Sequence, residues 1–223
     1  MDPVERALSS LRKGGFMVVY DSKGREAEAD IFLGAEFATP SKIAAMRTYG
    51  GGLVCVAIGE AESEALGLPF MADVMVKDKS IAKQLILKRA KYGDKSAFSV
   101  SVNHNSTFTG ITDTDRAKTM RELGKIVRKA ENGGQSQKQA FSISFKAPGH
   151  VQLLRSSGLC NRKGHTEMAA ELARMAGIAP AVALCEMLDG KTGKAATVAV
   201  AKSMAKKLRA PFLTGKQLME ALE

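Results

Sequence analysis

Arg162-Lys163-Gly164-His165-Thr166-Glu167 is the stretch from which the rest of the chain is read. Apolar residues recur behind it at Ala169, Leu172, Ala173 and Ala176, the spacing of one helix face, and Gly177 supplies a stop. The stretch is therefore expected to enter a helix. A helix start offers unpaired backbone N–H groups and the positive end of the dipole; here two cations and a hydroxyl stand beside it, which suits a phosphate. His165 adds a metal-ligating group at the same corner. The plainer alternative is a helix capped by Thr166 with its cations in water.

A second cluster lies upstream. Asp21-Ser22-Lys23-Gly24-Arg25-Glu26-Ala27-Glu28-Ala29-Asp30 carries four carboxylates in ten residues, with a glycine and no apolar periodicity, so it reads as a loop. Carboxylate oxygens suit magnesium, which keeps several waters and takes one or two protein carboxylates beside substrate oxygens. Alone, this loop reads first as a solvated acidic turn and only second as a cation site.

Bulk properties bound the answer. The 223 residues suffice for one core, and the 45% hydrophobic and 25% charged fractions are those of an ordinary globule. No apolar run approaches the roughly 20 residues of a membrane span, and a start with Asp2 and Glu5 is unlike a signal peptide, so a cytoplasmic protein is expected. Cys55, Cys160 and Cys185 are odd in number and lack close metal-ligand spacing, so they are expected as reduced thiols. The net charge of +10 raises nucleic acid as a partner, but the charge is spread over several helices. With 5% aromatic residues and no Trp there is little to stack on bases, and an anionic substrate accounts for a basic pocket as well; no nucleic-acid and no membrane partner is expected.

Along the chain, Asp2-Pro3 opens a helix with Val4, Ala7, Leu8 and Leu11 inward and Gly14-Gly15 behind it. Strands are expected at Phe16 to Tyr20 and Ile31 to Phe37, on either side of the acidic loop, then a helix from Thr39-Pro40 to Tyr49, a Gly50-Gly51-Gly52 turn and a strand Leu53 to Ile58. Glu60 to Leu66 reads as a short helix. Lys77 to Lys95, with seven basic and two acidic residues, reads as a solvated helix or flap without assigned chemistry. Ala97 to Asn103 alternates as a strand, and Thr112-x-x-Asp115 caps a helix with Ala117, Met120, Leu123, Val127 and Ala130 inward. Gly133-Gly134 reads as a loop, Phe141 to Phe145 as an alternating strand, and Pro148-Gly149-His150 as a turn presenting a histidine. Val182 to Cys185 is a strand ending at Glu186, Thr197 to Leu208 a basic helix, and Phe212-Leu213 a last strand before a helix capped by Thr214. Helices and strands mix without a regular βαβ repeat or a Gly-rich nucleotide fingerprint. The expected fold is a single α+β domain over 1–223, a mixed sheet with surrounding helices.

In order through nearly the whole chain, the REAEAD loop from Arg25 to Asp30, Leu68-Pro69-Phe70-Met71, Thr109-Gly110-Ile111-Thr112 before Asp115-Arg116, Pro148-Gly149-His150-Val151, Arg162 to Glu167 and Cys185-Glu186 resemble 3,4-dihydroxy-2-butanone 4-phosphate synthase, a lyase of riboflavin synthesis. Ala27 and Ala29 stand where that family usually has Asn and Gly, and Lys77 to Lys95 looks longer than in its bacterial members.

The resemblance implies conversion of D-ribulose 5-phosphate into L-3,4-dihydroxy-2-butanone 4-phosphate and formate, with magnesium or manganese. By matching position it implies Glu26 and His165 as metal ligands. Arg25, Glu26, Asp30, Arg162, Lys163, Gly164, His165, Thr166 and Glu186 would contact substrate, with Arg162 and Thr166 at its phosphate end. Glu186 and His150 would be acid and base groups, with Asp21 and Glu28 as weaker candidates. It implies a homodimer with a shared active site. His104 matches no family motif. A phosphosugar isomerase, separated by formate release, and a phosphate- or RNA-binding module, separated by salt dependence without a magnesium requirement, are the competing classes.

Overall fold

The computed structural model describes residues 2–86, 89–130 and 135–223. The expected Gly133-Gly134 loop lies outside them. Helix α1 (Pro3–Arg12) is capped by Asp2, whose carboxylate accepts from the Glu5 N–H, and buries Val4, Ala7, Leu8 and Leu11. Then follow β1 (Met17–Tyr20), β2 (Ala29–Gly34), α2 (Pro40–Tyr49), β3 (Cys55–Ile58), α3 (Glu60–Leu66), α4 (Met71–Val76), β4 (Phe98–His104), α5 (Asp113–Ala130) and α6 (Gln135–Ser144). The chain closes with β5 (Phe145–Arg155), α7 (His165–Ala176), β6 (Ala181–Glu186), a small hairpin of β7 (Leu188–Asp189) and β8 (Lys194–Ala195), α8 (Val198–Lys207), β9 (Phe212–Thr214) and α9 (Gly215–Glu220).

Seven strands form one mixed sheet in the order β4-β5-β3-β6-β2-β1-β9, with parallel pairs β3/β5 and β1/β9 and the rest antiparallel. The central strands are buried on both faces, which is why they read as continuous apolar runs. One face packs on α2, α5 and α8 through Ile43, Met46, Met120, Leu123, Val127 and Ala201; the other packs on α1, α7 and α9 through Leu8, Leu11, Ala169, Leu172 and Leu218. The α+β expectation holds. No helix among the described residues is long and apolar enough to cross a membrane.

Several expectations are corrected. β2 begins at Ala29 and ends at Gly34; Ala35 to Phe37 turn into a 3-10 helix, where Glu36 pairs with Arg128 and accepts from the Ala179 N–H. Phe141 to Ser144 are helical instead of a strand. Their alternation also fits one helical turn, because Phe141 and Phe145, four residues apart, stack at 5.0 Å while Ile143 is exposed. Pro148-Gly149-His150 ends no element. Val102 pairs with Val151 and Asn103 with Lys146, so residues 147–150 bulge out inside β5. A Cβ on Gly149 would collide with the Val102 backbone, so this close approach requires glycine. Among the described residues of Lys77 to Lys95, only Ile81–Leu85 is regular, a 3-10 helix.

Candidate active site

The antiparallel register of β2 and β6 sets Asp30 opposite Glu186, and β1 delivers the acidic loop to the same end of the sheet. The start of α7 packs there from one face. Around this corner lies a cavity of about 280 Å³ whose lining includes Glu26, Glu28, Asp30, Tyr92, Arg162, His165, Thr166 and Glu186. Residues more than a hundred positions apart in sequence thus share one site.

The loop is built on Asp21. One oxygen of this buried carboxylate accepts from the Glu28 N–H at 3.0 Å, the other from the Glu26 N–H at 3.0 Å, and the Arg25 guanidinium lies 3.4 Å away. Asp21 therefore fixes the loop, and it stands outside the cavity lining. Ala27 adopts a left-handed backbone, φ 56°, which Asn or Gly occupies at less cost, in keeping with the family's usual residues there.

His165 is buried and closes on the carboxylates, its Nδ1 3.3 Å from Glu26 and 3.7 Å from Asp30, with the edge of Phe32 against its ring. Burial lowers the imidazole pKa, but Asp30, Glu26 and Asp21 outweigh it and hold it up at about 9. Burial pushes the Asp30 carboxyl up to about 7 against the pull of His165. Burial also works to raise Glu26, but bonding to His165 and Tyr92 and the Arg25 charge prevail and bring it to about 2. Burial, with Glu26 nearby, raises Glu28. A metal cation held among these carboxylates would require the neutral imidazole and would take the place of a proton on the ring. The ring's Nε2 and the Asp30 Oδ1 are buried without hydrogen-bond partners among the described residues. One oxygen each of Asp21 and Glu26 and one ring nitrogen of His165 lie within 4.8 Å of one another. This oxygen-rich set with one imidazole fits a hard divalent cation.

Thr166 does not cap α7. Gly164 is the N-cap, and Glu167 closes the helix start by accepting from the N–H groups of Gly164 (3.2 Å) and Ser157 (3.1 Å) and pairing with Arg162. Thr166 is thereby freed to line the cavity, where it is buried. Glu186 has one carboxylate oxygen fixed by the Leu53 N–H at 2.8 Å, and a Cβ on Gly52 would collide with that oxygen. Gly52 thus lets the backbone come close to the Glu186 side chain.

Of the other expected residues, Arg25 sits behind Glu26, 2.9 Å from its carboxylate, and with the exposed Lys163 lines a shallow outer groove that shares Arg162 and Tyr92 with the cavity. His150 stands outside its own chain's cavity, exposed on the β5 bulge, with its Nδ1 3.1 Å from Asn103. His104 packs on Phe145 and bonds Ser106, away from the site. Two residues of the Lys-rich segment were not anticipated. Tyr92 places its ring 4.9 Å from the Arg25 guanidinium, and Asp94 lies between Arg25 and Arg162. A Tyr-Gly-Asp turn inside a basic run is their one local signal.

A family profile described as 3,4-dihydroxy-2-butanone 4-phosphate synthase matches residues 5–221. The chain is 45% identical over 222 residues to a protein of that name from Archaeoglobus fulgidus, covering 97% of this chain and 92% of the other. Its fold superposes on a solved Candida albicans enzyme of the same name with a TM-score of 0.76 and 29% identity, covering 100% of this chain and 98% of that one. It superposes equally, at 28% identity and covering 100% and 97%, on a synthase solved in complex with two magnesium ions, TM-score 0.76.

Proposed function

The chain belongs to the 3,4-dihydroxy-2-butanone 4-phosphate synthase family of riboflavin biosynthesis, and from that premise we propose that it converts D-ribulose 5-phosphate into L-3,4-dihydroxy-2-butanone 4-phosphate and formate. The observation that carries this reading is the convergence of Glu26, Asp30, His165, Thr166 and Glu186 on one cavity, from the acidic loop, two paired strands and a helix start. Expelling C4 as formate while keeping the phosphate-bearing C5 requires proton removal and return at different carbons, hence acid and base groups on more than one side. Glu26 and His165 would hold magnesium, or manganese, which as a Lewis acid favours negative charge developing on substrate oxygens.

The protein's own groups do the rest. Glu186, one oxygen fixed by Leu53, presents Oε1 as the base, and Asp30 on the neighbouring strand holds substrate hydroxyls or their protons. Glu28 lines the same cavity and exchanges protons with substrate or water. Arg162 and Thr166 take the phosphate, with Arg25 and Lys163 behind them; Gly164, with its bare Cα, lets the two guanidiniums close in, since a Cβ there would meet both.

His150 completes the site from a second copy in a homodimer. It is exposed, away from its own cavity, and Asn103 holds its N–H and ring. Asn103 also donates to the Thr109 carbonyl at 3.4 Å, and on either side of Thr109 Phe108 is 95% exposed and Ile111 52%, apolar side chains suited to a docked copy. We take the span 1–223 to work as one such domain in the cytoplasm.

The test is incubation with ribulose 5-phosphate and magnesium. Formate and the four-carbon phosphate should form in equal amounts, and EDTA should abolish both reversibly. Interconversion of pentose phosphates without formate would replace this reading by the isomerase one.

A further inference from the structure

Arg25 and Arg162 share one anion. The Oδ2 of Asp94 lies 3.0 Å from Arg25 Nε, 2.9 Å from Arg25 Nη2 and 3.5 Å from Arg162 Nε. The other carboxylates on these guanidiniums are committed elsewhere. Asp21 is buried and holds two loop N–H groups, Glu26 is tied to His165, and Glu167 is buried and closes the start of α7. The Asp94 side chain is 26% exposed, and the two arginines are its side-chain partners. Its backbone belongs to a self-contained turn: the Ala90 N–H donates to the Asp94 carbonyl, the Gly93 N–H to the Ala90 carbonyl, and Arg89 Nη1 to the Gly93 carbonyl. Gly93 has φ +94°, so the turn closes without strain.

A phosphate entering between these arginines meets a carboxylate of its own sign, hydrogen-bonded to Arg25 Nε and within ion-pair range of Arg25 Nη2 and Arg162 Nε, two buried nitrogens without a hydrogen-bond partner among the described residues. Like charges at hydrogen-bond range repel, and the least anchored anion gives way. We propose that Asp94 is a positioning residue and a resident stand-in for the substrate phosphate: it pairs Arg25 with Arg162 before substrate arrives and is displaced from them when the phosphate binds. Because Tyr92 lines the cavity two residues earlier in the same turn, the exchange moves a cavity wall with it. The stand-in also sets selectivity. A dianionic phosphate ester outcompetes the carboxylate for two guanidiniums, whereas singly charged sugar acids gain little from the exchange.

This rests on the phosphate-end reading of Arg162, and two variants separate the readings. Asp94→Asn keeps the shape and removes the charge. Calorimetric titration of the magnesium-free protein with inorganic phosphate should show binding about fivefold tighter in Asp94→Asn than in wild type, with KM for ribulose 5-phosphate lowered in the same sense. Arg162→Ala should weaken phosphate binding by roughly tenfold or more. Unchanged or weaker phosphate binding in Asp94→Asn, with Arg162→Ala still impaired, overturns the stand-in and makes Asp94 a fixed strut. Unaltered phosphate binding in Arg162→Ala overturns the phosphate-end reading and the stand-in together.

Discussion

Three groups converge on the Glu26 carboxylate: the His165 imidazole, the Arg25 guanidinium and the Tyr92 hydroxyl. With so few protein ligands available to a cation, Glu26→Gln and His165→Ala should each abolish turnover and remove manganese binding measured by calorimetry, while circular dichroism stays native. Full activity in either variant rejects the ligand assignment. The same cluster sets a pH response in the metal-free protein. His165 rises from 6.5 to about 9 on folding, so its contribution is complete below 6.5 and lost as pH climbs through 9. Asp30, raised from 3.8 to about 7, has the same sign in an earlier window. Melting temperature in EDTA should therefore fall between pH 6.5 and 9, and His165→Gln should flatten that slope; a slope unaffected by the substitution belongs to other groups. Glu26, His165 and Glu186 could be named from motifs, because each stands in a local pattern. Asp94 could not, because its partners lie 69 and 68 residues away and its one local mark, a Tyr-Gly-Asp turn, says nothing of them.

Elements aim these residues. Glu186 points into the cavity because β6 ends there and the Gly50–Gly52 turn leaves room for its carboxylate against the Leu53 N–H. Gly52→Ala puts a methyl group into that carboxylate and against the Glu186 backbone carbonyl, so kcat should fall roughly tenfold or more and the melting temperature should drop as well. A fully active Gly52→Ala enzyme would show that the position of Glu186 is not critical. The helix start is a second case. The run after His165 announces a helix, and α7 is there, yet its closing group is Glu167 instead of Thr166. Periodicity locates an element, whereas cap geometry depends on which carboxylate the surrounding turns deliver, here through Ser157 and Arg162. The same limit explains Phe141 to Phe145, whose spacing fits both a strand and a helical turn, and contact with the core selects the helix.

At the scale of the molecule, His150 lies outside the cavity lining of its own chain, so the proposed dimer is open to a direct test. Mixing the inactive variants His150→Ala and Glu186→Gln under conditions of subunit exchange should restore about a quarter of wild-type activity, since half of the dimers then carry one complete site. Absence of recovery, with mixed dimers demonstrated, would place both residues in the same chain's site. Most of the helices and strands, though not α4, α6 or β5, the inward faces of α1 and α5, and the charge of the acidic loop were determined by the sequence alone, because periodicity, caps and breakers act within a few residues. The tertiary structure decided that Asp30 faces Glu186 across β2 and β6, that His165 sits among carboxylates, and that an exposed basic segment lends Tyr92 and Asp94 to the site. Those are contacts between distant segments, fixed by strand register and helix packing, and no local pattern of residue types encodes them.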